Sequence, residues 1–177
     1  MQLKFGYLFP LVSVVSALVG HAASVPTKRQ YVVPSHGSIV APSGNASIVP
    51  GAIFDFDFDS INYCESGYEP ITVWLLEQEP TDADVTSDGV FPNGTYLYNF
   101  GEWLIPNFGL PAEQTPPPPP STLTMPDFST AAFGGLIFSN ATLYLAVIET
   151  YMDCPGYVAK EYGLSSTPII YNPIPSA

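Results

Sequence analysis

Beyond residue 30, apolar positions recur with a period of two rather than 3.6, in short stretches bounded by Gly, Pro, Asn and Ser clusters. The clearest case is Ile53-Phe-Asp-Phe-Asp-Phe-Asp59. Alternation sets Phe54, Phe56 and Phe58 on one face and Asp55, Asp57 and Asp59 on the other. The pattern predicts strands at Ser38–Ala41, Ala52–Phe58, Ile71–Glu77, Tyr96–Phe100, Thr122–Met125, Leu143–Tyr151, Tyr157–Tyr162 and Pro168–Tyr171. No segment in this region holds a helical period, and eighteen of the twenty prolines lie here, each removing a backbone donor. Seven or eight short strands without helices define an all-β chain. They favour a single immunoglobulin-like antiparallel β-sandwich, with a barrel as the alternative.

The first residues follow another pattern. Lys4 precedes an uncharged run, Tyr7 to Gly20, of about 14 residues, followed by small residues at Gly20, Ala22 and Ala23. That order is the signature of a cleaved secretory signal peptide, and the run is shorter than the roughly 20 residues of a spanning helix. An uncleaved anchor helix is the alternative. Residues 1–23 are expected to be the signal peptide. Residues 24–29 are expected to form a short propeptide ending at Lys28-Arg29, the only dibasic pair in the chain. The remaining residues, 30–177, form one expected domain.

This processing changes the charge. With Lys4, Lys28 and Arg29 removed, Lys160 faces all sixteen Asp and Glu, a formal charge of −15 for 148 residues. Such a chain repels phosphate backbones and anionic lipid, which disfavours nucleic-acid and membrane-surface binding. Nothing after Gly20 is long or apolar enough to insert in a membrane.

An exported chain also meets an oxidising compartment. Cys64 and Cys154, its two cysteines, are therefore expected to pair across about 90 residues. Cys64 precedes the strand Ile71–Glu77 and Cys154 follows Leu143–Tyr151, so the bond would staple one end of the sandwich if those strands are antiparallel neighbours. Three N-glycosylation sequons, at Asn45, Asn93 and Asn140, lie at turn signals or just before strand patterns. The proline run Pro116–Pro120 lies in a Pro-rich segment, 114–121, expected to be a stiff excursion within the one domain.

Candidate chemistry is sparse. Asp55, Asp57 and Asp59 spaced about 7 Å apart on one strand face are a candidate calcium site, although neither the glycine nor the bidentate acid of an EF-hand loop is present. The plainer reading is a half-buried strand with its acids in water. Tyr96, Tyr98 and Trp103 are a candidate platform for stacking on sugars; the plainer reading is core. A catalytic triad would have to use His36, the one histidine left after processing. Paired acids could serve glycoside hydrolysis if some pair converges in a cleft. No dithiol, zinc-protease, phosphate-loop or dinucleotide motif occurs. No catalytic residue is assigned, and no cofactor is expected unless calcium binds.

Three segments taken together, Tyr98-Asn-Phe-Gly-Glu-Trp-Leu-Ile-Pro-Asn-Phe-Gly-Leu-Pro111, Thr122-Leu-Thr-Met-Pro-Asp-Phe128 and Leu145-Ala-Val-Ile-Glu-Thr-Tyr-Met-Asp-Cys-Pro-Gly156, resemble a group of small secreted proteins of mushroom-forming (basidiomycete) fungi. The resemblance spans most of residues 37–172. It implies secretion, fungal origin and one β-sandwich, and it supplies no activity and no site residues. The expectation is a secreted, glycosylated, non-enzymatic extracellular or cell-wall protein whose partner is a cell-wall polysaccharide or another extracellular protein. A glycoside-acting enzyme and a calcium-dependent adhesion module are the alternatives.

Overall fold

A computed structural model of the chain describes residues 32–152, 154 and 160–172. These residues are all-β, with two single-turn 3₁₀ segments at Asp82–Asp84 and Ala131–Phe133. The strands are β1 (Ser38–Ala41), β2 (Ala46–Ile48), β3 (Ile53–Asp55), β4 (Asp57–Asp59), β5 (Tyr68–Leu76), β6 (Tyr98–Pro106), β7 (Thr122–Thr124), β8 (Ala141–Tyr151) and β9 (Glu161–Tyr171).

Five strands form one sheet in the order β2-β9-β8-β5-β6. Its centre is antiparallel, with Val73 opposite Val147 and Val147 opposite Ser165. The outer pair β2-β9 is parallel, so the ladder is not antiparallel throughout. Two small antiparallel pairs, β1-β4 and β3-β7, complete the pairing. They carry Phe56, Phe58 and Leu123, and Phe56 and Leu123 pack on Ile71, Val73, Trp103, Leu145 and Val147 of the large sheet. A second cluster around Leu75, Met125, Phe128, Leu143, Ile169 and Tyr171 fills the other end of the same interlayer space.

The outer face of the large sheet is also covered. Trp74, Leu76, Ala146, Ile148, Tyr162 and Leu164 pack under Val32, Val85 and Phe91. Burial on both faces explains why β5 and β8 read Val73-Trp-Leu-Leu76 and Leu145-Ala-Val-Ile148, continuous apolar runs rather than alternation.

The strand Ala52–Phe58 is split into β3 and β4 with buried Phe56 between them, because its halves pair with different strands. The segment from Pro168 to Tyr171 is the end of an eleven-residue strand, β9. Positions 157–159 of the expected strand at Tyr157–Tyr162 lie outside the described residues. Strand β5 starts earlier than the pattern indicates and includes Pro70. Proline is tolerated there because the pairing with β8 begins only at Ile71. The proline run lies along the outer strand β6, where the Pro117 carbonyl accepts the Leu104 N–H at 2.9 Å. That contact occupies a donor the sheet edge would otherwise expose.

Candidate functional site

The side-chain alternation of β5 places Glu69 on the face of Ile71 and Val73, and that of β8 places Glu149 on the face of Leu145 and Val147. Both carboxylates therefore point into the interlayer space, at the end of the sandwich nearest Cys64. They are 1% and 0% exposed. Charged side chains this deep are rare unless paired.

The surroundings supply hydrogen-bond donors. Glu149 Oε2 accepts the Gly37 N–H at 2.6 Å and the Tyr151 hydroxyl at 3.0 Å. Glu69 Oε2 accepts the Ser60 hydroxyl. Each carboxyl keeps one buried oxygen, Oε1, that no other donor reaches. Glu149 lies opposite Ile71 in the β5-β8 ladder, so Glu69, two residues earlier on the same face, is its diagonal neighbour. A single proton held between them would satisfy both free oxygens at once and leave one negative charge, not two, facing the donors.

Burial is the main influence on both acids. It lifts Glu69 from the ordinary glutamate value of 4.5 to about 7, with the adjacent Glu149 adding to the rise and the Ser60 hydroxyl opposing it. Glu149 is raised too, chiefly by burial, against the opposing pull of the Gly37 N–H, Tyr151, Ser60 and His36. Burial and then the Glu149 charge raise Tyr151. Glu149 thus holds more of the donors, and the two carboxyls ionise as one coupled pair.

Two glycines make room for the pair. A Cβ at Gly163, opposite Glu149 on β9, would lie 2.5 Å from the Tyr151 hydroxyl oxygen and 2.9 Å from Glu149 Oε2. A Cβ at Gly37 would run into the Asp59 carbonyl and lie 3.0 Å from Glu149 Oε1. His36 closes the site. Its Nδ1 is 3.0 Å from Ser165 Oγ, and the Ser165 hydroxyl donates to the Gly37 carbonyl at 2.6 Å. Tyr63 packs on Tyr151 with ring centroids 5.4 Å apart.

Beside this cluster lies the Cys64–Cys154 disulfide, with its Cα atoms 4.5 Å apart. It joins the loop before β5 to the chain after β8, the two strands that carry Glu69 and Glu149. The antiparallel β5-β8 pair brings both cysteines to one end.

The residues singled out from sequence lie elsewhere. Asp55, Asp57 and Asp59 are exposed, and the phenylalanines between them turn inward. Among the described residues, no three His, Cys, Asp or Glu side chains converge as a metal site. Asp55 and Asp57 flank a groove of about 620 Å³ walled by Phe58, Ile105, Pro119 and Pro120. Tyr96, Tyr98 and Trp103 are spread over three packed clusters. Tyr96 meets the Trp74 ring at 4.7 Å, Tyr98 meets Phe100 at 5.0 Å, and buried Trp103 lies 6.2 Å from Phe56. Asn45, Asn93 and Asn140 are all exposed, each in or beside a turn. Lys28 and Arg29 lie outside the described residues.

Glu69 and Glu149 are absent from the sequence-level candidates. The signal was available for Glu149, at an inward position of the predicted strand Leu143–Tyr151, but not for Glu69, which precedes Pro70 and the predicted start at Ile71. No family model matches the chain, and no curated protein or solved structure is similar to it.

Proposed function

We propose that this chain is a secreted, N-glycosylated β-sandwich that acts outside the cell by binding or as a structural surface component, not by catalysis. The observation that carries the reading is the sealing of the Glu69–Glu149 cluster. Its two carboxyls are 1% and 0% exposed. While residues 32–37 are seated, a substrate atom has no route to them. The disulfide and the three exposed sequon asparagines support an extracellular setting.

The strand order supports an immunoglobulin-like assignment. Chain order and pairing let β9-β8-β5-β6 stand for the G, F, C and C′ strands, with β1, β3–β4 and β7 for A, B and E. The bond between Cys64 and Cys154 then joins loops, whereas the antibody bridge joins strand interiors.

A polysaccharide pull-down and glycan array with the mature glycoprotein, run beside a reducing-sugar release assay, test the reading. Retention on a glycan or extracellular protein without sugar release is the expected result. Catalytic sugar release abolished by substitution of any acid pair would overturn it. Enzymatic removal of N-glycans is expected to lower the mass of the secreted protein.

A further inference from the structure

Residues 32–37 cover the buried carboxyl pair. Val32 bridges Tyr162, and the Val33 N–H donates to the Tyr162 carbonyl at 2.8 Å. The Tyr151 hydroxyl is 3.2 Å from the Ser35 carbonyl, His36 meets Ser165, and the Gly37 N–H reaches Glu149. The Ser35 and Gly37 anchors thus end on Glu149 or on Tyr151, which donates to it. The other lid, the loop from Ser60 to Gly67, is fixed by Cys64 to the chain after β8.

We propose that Glu69 and Glu149 form a proton-operated clasp, which holds residues 32–37 over the end of the sandwich while one proton bridges the carboxyls and releases them when that proton is lost. The balance is simple. The closed pair carries one proton and one charge, and opening gives that proton to solvent and leaves two charges. Two neighbouring carboxylates buried together repel each other, and their second oxygens lack donors. Water must then enter. The disulfide holds one side, so entry falls to residues 32–37, which form no strand except at a single bridge and lie just after the Lys28-Arg29 pair.

The titratable groups facing the pair are few. His36 comes from the covering segment, Tyr151 from β8 and Tyr63 from the disulfide loop. Asp59 of β4 faces Gly37 through its carbonyl and keeps its carboxylate exposed. Glu161 of β9 lies 3.8 Å from Cys154 Sγ. The clasp is thus shut in acid and opens near neutrality, where Glu69 gives up its proton at about pH 7.

Amide hydrogen exchange on the full secreted protein at pH 5 and pH 8, corrected for intrinsic rates, tests this. Protection of the Val33 and Gly37 amides is expected to fall about a hundredfold, because the ionised share of a pair with its midpoint near 7 rises from about 1% at pH 5 to about 90% at pH 8. Protection of Val147 at the centre of β8 is expected to hold. Glu69→Gln, whose amide can donate to Glu149 at any pH, is expected to remove the fall. Glu149→Gln serves if that variant does not fold. His36→Gln is expected to retain it. Equal protection of Val33 and Gly37 at both pH values would sink the proposal. So would a fall that survives both Gln variants, or one abolished by His36→Gln, which would assign the effect to the imidazole.

Discussion

Replacing both cysteines, Cys64→Ser with Cys154→Ser, removes a crosslink spanning 90 residues. In the chain-entropy description the closed loop restricts the unfolded chain by about 15 cal/mol/K, roughly 4–5 kcal/mol at 25 °C. Domains of this size are stable by about 5–15 kcal/mol, so the loss is a third or more of the total. The effect has a local side as well, because the bond ties together the loops flanking Glu69 and Glu149. Urea unfolding followed by tryptophan fluorescence measures both terms, since Trp74 and Trp103 are buried. The expected result is a loss of about 4 kcal/mol, a melting temperature lower by roughly 10–15 °C, and a steeper denaturant dependence as the unfolded chain expands. A loss below about 1 kcal/mol with an unchanged slope would refute the reasoning.

Stability should depend on pH in the direction set by Glu69. Its folded value, about 7, lies above the ordinary 4.5, so the folded state holds the proton more tightly. The resulting stabilisation is fully present below pH 4.5 and is lost as pH rises through 7. The shift corresponds to about 3 kcal/mol at most and about 2 kcal/mol after allowance for solvent screening. Thermal melts from pH 4.5 to 8 should show it, and Glu69→Gln should flatten that part of the profile. Leu145→Ala, at a fully buried position between the layers, should cost about 2–5 kcal/mol in chemical denaturation. Ile137→Ala, at a residue 88% exposed, should stay within about 0.5 kcal/mol.

The strands at Leu143–Tyr151 and Ile71–Glu77 were legible because their apolar content is dense and their bounds carry turn residues. The inward phenylalanines and outward acids of Ile53–Asp59 were legible from alternation alone. Their division between β1 and β7 was not, because a three-residue ladder is decided by partners far along the chain. The aromatic row failed for a local reason. Val73 faces Gly101 and Trp74 faces Asn99, which leaves Phe100 as the extra residue of a bulge that turns the side chains of β6.

The buried pair was half legible. Parity put Glu149 on the apolar face of its predicted strand, but Glu69 fell before the predicted start at Ile71, 80 residues separate the two, and only the β5-β8 register brings them together. Gly37 and Gly163 read as ordinary turn or strand glycines until Glu149 stands between them.

The central claim is that Glu69 and Glu149 share one proton inside the fold. Carboxyl carbon NMR of the secreted protein, titrated from pH 3 to 9, measures this directly. The pair is expected to ionise in two well-separated steps, with one proton kept until near pH 7. Two glutamates that both ionise together near the ordinary value of 4.5 would contradict it.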